Sequence, residues 1–320
     1  MPFFLSQTDP QLVAFLAVLA AAGGADLALT IMVLGIMPRL GWADPPGALV
    51  TLQAPAVVVS VALLYVAEAA MERFPGGFAL WHTFQRWVRV VALLLLTSMA
   101  TAEVPPLERG VLVGAATLLG VGVYMGASGW EGIFILRRLS NVSQRLSALA
   151  IDVAFGALLV LALDEPRQAV AALGILLLAA ASQLPLAVRA HLALVRAGRA
   201  WLHALVLPGR WVQENDLPPG IRALVSTEGP IPGKPLRGAR ATLLTRRIRI
   251  GWLVLASHGP LFVEPGKRPI PLQALPGTAA VPGPLHVRKP VRADGEEGEL
   301  LVLKDGPGVG DLERSIPAMF

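Results

Sequence analysis

Four carboxylates stand in or beside apolar stretches where a charge is costly: Asp26, Glu68, Glu131 and Asp152. Asp26 lies within "LAAAGGADLALTIMVLG" (19–35), near the middle of an apolar run from Leu12 to Met37. An Asp at the centre of a bilayer-crossing helix costs about 2.5–3.5 kcal/mol on insertion scales. Such a group is tolerated when it is neutral, paired or facing a water-filled cavity, and the chemistry it suits is proton carriage or cation ligation. Each acid also has a structural reading. Glu68 can snorkel or pair with Arg73, and Glu131, in "GASGWEGIF", has Arg137 and Arg138 within two turns. Asp26 can serve as an interhelical hydrogen-bond partner, and Asp152 is open between structure and function. Gly23 and Gly24 precede Asp26, and Gly120, Gly122, Gly126, Gly129 and Gly132 run through Glu131. Glycines at these places permit close helix packing or a helix broken at a binding site.

The elements that must position these groups follow from composition. The 320 residues are 54% hydrophobic and 15% charged, against about 25% charged in a typical soluble domain. The excess is gathered in long runs, so the fold class expected is mainly α, a polytopic helical membrane bundle. Six spans are expected: Leu12–Met37, Leu49–Met71, Trp87–Ala102, Val111–Gly126 or on to Leu136, Leu146–Leu163 and Gln168–Val188. The links "PRLGWADPPG", "ERFPGG", "EVPPLERG" and "LDEPRQ" carry prolines that stop helices and fix turns. Three spans precede Glu103 and three follow it. Each half places an acid in its first helix (Asp26, Glu131) and in its second (Glu68, Asp152), the layout of a 3+3 inverted repeat.

Orientation follows from the basic residues. One set of loops and flanks holds Arg73, Arg86, Arg89, Arg137, Arg138, Arg145, Arg189, Arg196 and Arg199; the other holds Arg39, Arg109 and Arg167. Nine against three predicts that both termini are cytoplasmic. The isoelectric point of about 10.2 is accounted for by such flanks, without a nucleic-acid partner. Zero cysteines exclude disulfides and thiolate chemistry.

After residue 188 the pattern changes. In "LAVRAHLALVRAGRAWLHAL", Arg189, Arg196 and Arg199 fall near one face, which fits an amphipathic helix over 189–206 meeting anionic lipid, or a plain extension of the sixth span. From 207 to 305 short β-type runs alternate with turns: "IRALVS", "ATLLTRRIRIGWLVLAS", "PLFVEP", "PLHVRK" and "ELLVLKD". They predict a small cytoplasmic β-rich barrel or sandwich. Residues 306–320 read as a flexible tail. The first domain then covers 1–188. The five histidines have no metal-ligand spacing, and "GPGVGD" follows no strand–helix unit, so neither a metal site nor a cofactor is predicted.

The segment "LLYVAEAAMERFPGGFALWHTFQRWVRVVALLL", with the later "LSALAIDVAFGALL", resembles an uncharacterised bacterial membrane family, domain-of-unknown-function family 4126, over roughly residues 12–165. The matching positions are Glu68, Glu72, Arg73, Pro75, Trp81, Thr83, Gln85 and Arg89, with Asp152 at the acidic position of the later helix. Glu72-Arg73 replaces the family's usual Asp-Lys pair, and Gly76 and Gly77 stand where an acid is expected. The resemblance implies an integral membrane protein and no particular activity.

Two functional readings remain open. One is a small-solute or ion transporter with Asp26 and Asp152 as titrating or cation-binding groups. The other is a non-catalytic scaffold or accessory subunit that docks other membrane proteins through its spans and β domain. An enzyme is disfavoured because no nucleophile–base or metal constellation is visible in the sequence.

Overall fold

The structure, a computed structural model, describes residues 9–41, 45–71, 75–137, 141–206, 211–226, 236–256, 259–282 and 285–316. It divides into two compact units, Met1–Phe74 with Phe84–His191, and Pro75–Thr83 with Leu192–Phe320.

The first unit is helical. It contains α1 (Pro10–Ala25), α2 (Leu27–Ile36), α3 (Pro55–Met71), most of α4 (Pro75–Ala100), α5 (Pro106–Leu136), α6 (Asn141–Asp164), α7 (Pro166–Ala181) and the start of α8 (Leu184–Val206). A proline opens α1, α3, α4, α5 and α7, where its missing N–H has no helical partner to lose. Asp9 caps α1 by accepting from the Gln11 N–H at 2.9 Å. α1 packs against α5, α6 and α7. Its residues from Phe15 to Ala25 are buried, with Ala17 the partly exposed exception, as expected of a helix that is apolar all round. A Cβ on Gly24 would run into the Gly120 carbonyl, and one on Gly120 into the Ala20 carbonyl, so glycine at both positions lets α1 and α5 touch backbone to backbone.

Several expected spans are interrupted. The run Leu12–Met37 breaks at Asp26 into α1 and α2. Leu49–Met71 bends by 75° between the 3-10 turn Gly47–Gln53 and α3, and Gln168–Val188 bends by 76° between α7 and α8. Periodicity and hydropathy register apolarity, not direction, and each bend coincides with a cap or a proline: Asp26, Pro55 and Pro185. Among the described residues, two helices are long and apolar enough to cross a membrane, Pro106–Leu136 and Leu146–Asp164, or four if each bent pair counts as one span. Two to four candidate spans thus stand among the described residues where six were expected. α5 runs unbroken through Glu131, whereas the chain breaks at Asp26, so these two acid-bearing helices are not built alike. Large apolar side chains remain uncovered around the unit, among them Leu63, Trp87, Leu118, Ile175 and Leu178, the last 78% exposed.

The second unit carries the C-terminal part of α8, then β1 (Val212–Gln213), α9 (Pro219–Ser226), β2 (Arg237–Leu244), β3 (Ile248–Ala256), β4 (Gly259–Val263), β5 (Ile270–Ala274), β6 (Val281–Pro282), β7 (His286–Ala293), β8 (Glu296–Leu303) and α10 (Val309–Ser315). All pairings are antiparallel. β8 joins β7 to β2, so β2-β3-β4-β5-β7-β8 closes into a six-stranded barrel, with β1 beside β2 and β6 beside β7. Leu243, Leu253, Phe262, Val291 and Leu300 belong to one buried core. Trp252 and Val254, on the opposite face of β3, pack with Ile221 and Val225 of α9. Asp294 and Gly295, both at positive φ, make the tight β7–β8 turn.

Two expectations change here. "IRALVS" is not a strand; Pro219 opens a helix there, and Ile221 and Val225 face one side of it. Nor are residues 306–316 of the expected 306–320 tail simply a tail; 317–320 lie outside the described residues. Val309–Ser315 is helical, with Leu312 fully buried and Ile316 1% exposed. Seven residues are too few for a self-supporting helix, so these tertiary contacts hold it. The glycines and proline of "GPGVG" hide that spacing in the sequence.

Candidate functional site

The break between α1 and α2 leaves backbone groups without helical partners, and the neighbouring side chains answer them. Asp26 is extended (φ −141°, ψ 109°) and serves as the last cap of α1 and the first of α2. Its N–H donates to the Ala22 carbonyl at 2.8 Å. Its Oδ1 accepts from the Leu29 N–H at 2.8 Å, and its carbonyl accepts from Thr30 Oγ1 at 2.7 Å. The carboxylate thus sits at the positive end of α2.

Arg89 of α4 answers the other end. Buried to 5% exposure, it donates from its Nη1 to the Gly24 carbonyl and, at 2.7 Å, to the Ala25 carbonyl. These are orphan carbonyls at the negative end of α1. Its Nη2 lies 3.7 Å from Glu68 Oε1, and the guanidinium carbon lies 4.8 Å from the centre of the Tyr124 ring. Gln85, one turn earlier on α4, donates from Nε2 to Glu68 Oε1. Its own Oε1, like Arg89 Nε, is buried without a hydrogen-bond partner among the described residues. Asp152, half-buried on α6, lies within reach of the charges of Asp26, Glu68 and Arg89.

Three of the four acids singled out in the sequence therefore gather around one arginine. Among these groups, Asp26, Glu68 and Asp152 bring three carboxyl groups near one guanidinium. Among the described residues, no three His, Asp or Glu side chains stand close enough together to hold a metal ion. Glu131 is half-buried on α5 and is not one of the groups whose charges act on Asp152.

Beyond Tyr124 the polar contacts continue. The His191 ring meets Tyr124 edge-on, with centroids 5.4 Å apart. His191 Nδ1 lies 2.7 Å from Ser128 Oγ, which also lies 2.7 Å from the Tyr124 carbonyl. Tyr124, Ser128 and His191 are all buried, and nothing in the sequence had linked them.

Arg89 is the main correction. Counted as a cytoplasmic flank, it is instead buried in the helical unit. The available signal was the face it shares with Gln85 at i and i+4. Phe84, Trp87, Val88 and Val91 are 53–64% exposed while Gln85 and Arg89 are 5% exposed, so this stretch turns its polar face inward and its apolar face outward. Of the other family-like positions, Glu72 and Arg73 lie outside the described residues, and Pro75 opens α4. Trp81 is half-buried and Thr83 buried. Arg189 and Arg199, expected to face lipid, are exposed. Arg196 differs: it is half-buried, and the charges of Arg240 and Asp305 act on it. Asp305 lies 3.6 Å from Arg240 and 3.8 Å from His203.

No curated protein and no solved structure matches the chain. The family described as a domain of unknown function (DUF4126) matches residues 13–185. That range takes in most of α1 and all of α2 to α7, with Asp26, Glu68, Gln85, Arg89 and Asp152, and it is more than half of the sequence; the chain belongs to this family.

Proposed function

We propose that this protein is a multi-pass bacterial inner-membrane protein whose helical unit moves protons or small cations past the α1–α2 break. The observation that carries the reading is the buried Arg89, held by helix-end carbonyls beside the Glu68 carboxylate, with Asp152 within reach of both charges. Broken helices at membrane depth are found where backbone lines a binding site. The outward apolar face of α4 and the uncovered side chains of α5 and α7 suit a lipid surrounding. In this reading both termini and the β barrel are cytoplasmic, and anionic lipid meets Arg189 and Arg199.

A scaffold or accessory-subunit role draws on a specific observation too: Asp26 already has a structural task as the cap of α2. Purified protein in liposomes loaded with a pH-sensitive dye separates the two readings. Transport predicts an ion leak or exchange that Glu68→Gln and Asp152→Asn each reduce by about tenfold or more, the scale of a lost charged contact. A silent wild-type protein under imposed proton, sodium and potassium gradients would favour the scaffold.

A further inference from the structure

Arg89 occupies a set of groups that all favour positive charge. Two are the carbonyls of Gly24 and Ala25, one is the Glu68 carboxylate, and one is the face of the Tyr124 ring. A further acceptor, Gln85 Oε1, is buried beside the same carboxylate with no partner among the described residues. Carbonyl and carboxylate oxygens with an aromatic face form a site for a monovalent cation stripped of water. The guanidinium reaches that site on a flexible stem, and its Nε is itself left unbonded.

We infer that Gly24 O, Ala25 O, Glu68 and Tyr124 form a binding site for a small monovalent cation, and that the Arg89 guanidinium is its tethered occupant, which a free cation must displace. This rests on the reading of the α1–α2 break as a cation-handling site. Arg89 then has a role beyond structure: it refills the site whenever the free ion leaves. A ligand would bind the native chain weakly because it competes with a side chain at high effective concentration.

The test is thermal unfolding of the full chain in detergent. Guanidinium, sodium or potassium chloride would be titrated at low millimolar concentration, with choline chloride holding ionic strength constant. In Arg89→Ala the expected result is a saturable rise in Tm of about 2–4 °C at tenfold excess over half-saturation. The native chain should respond only at concentrations at least about tenfold higher. Adding Glu68→Gln to Arg89→Ala should abolish the saturable rise. Guanidinium acting below sodium and potassium would define the ligand as a planar organic cation, and the reverse order as an alkali ion. Equal responses of native and Arg89→Ala protein, or none in either, overturn the inference. Should Arg89→Ala fail to fold, Arg89→Lys serves instead. Its compact ammonium replaces a fork that bonds two carbonyls, so half-saturation should fall below the native value, and an unchanged value overturns the inference. No gradient is used, so binding without flux would sink the transport reading alone, and flux without competition would sink this inference alone.

Discussion

At the scale of the residue, Asp26 separates cap from charge. Asn caps a helix about as well as Asp, whereas losing the cap costs roughly 1 kcal/mol. Asp26→Asn should therefore leave thermal stability in detergent nearly unchanged, and Asp26→Ala should lower it. If Asp26→Asn also leaves ion flux intact, the acid is there for α2 alone. A second buried charge sits in the barrel. Lys289 is fully buried; its Nζ lies 2.5 Å from Glu313 Oε2 and 3.1 Å from the Thr278 carbonyl. The Lys289 hydrogen bond, with help from the Ala280 N–H, holds the Glu313 carboxyl below its ordinary value of 4.5. A carboxyl depressed in the folded state stabilises fully above its unfolded value, and that stability is lost as pH falls through the folded value. Hydrogen-exchange protection of β7 should thus weaken below about pH 4.5, and Glu313→Gln should flatten that dependence. Lys289→Met alone leaves a partner without its cation, while Lys289→Met with Glu313→Leu should be near neutral in stability. The sequence showed the carboxylates because acids stand out in apolar runs. It picked out Arg89 by family resemblance but hid its burial, because counting flanking charges assigns every arginine to the membrane surface, and burial is decided by neighbours distant in sequence.

At the scale of the element, the apolar runs were legible and their bends were not. α5 and α6 appear close to where the runs of Val111–Leu136 and Leu146–Leu163 put them. The first, second and sixth runs are each broken, and the break at Asp26 frees the carbonyls that Arg89 meets. The α1–α5 contact fixes the position of that break. Gly120→Val should drive the helices apart and lower Tm in detergent by an amount equivalent to about 1–3 kcal/mol. Gly122→Val, where a Cβ meets open space, should cost much less. Short elements were the least legible. In α9 and α10 the apolar spacing fits a helix only once the barrel surface beneath them exists, and residues 221–226 in isolation favour a strand as readily.

At the scale of the whole molecule, a helical region followed by a β-rich one was legible from composition alone. Closure of the barrel was not, because the pairing of β2 with β8 joins Thr242 to Leu301, and no local pattern distinguishes that ring from an open sandwich. The orientation proposed above is open to direct test. The chain has no cysteine, so single cysteines at Arg109 and Arg199 should react with an impermeant thiol reagent from opposite sides of sealed vesicles. Labelling of both from one side would refute the topology drawn from the arginine count.

The pairing of Lys289 with Glu313 also bears on the order of synthesis. The lysine's carboxylate partner lies 24 residues further along the chain, on a helix that forms only against the finished barrel. A nascent chain would release its helical unit early, while strands β2 to β7 waited for β8 and then for residue 313 before their buried charge was neutralised. Released chains truncated short of that residue should remain open to protease through the barrel, and chains a few residues longer should close. A seven-residue helix would then set the moment at which the β domain becomes competent to fold.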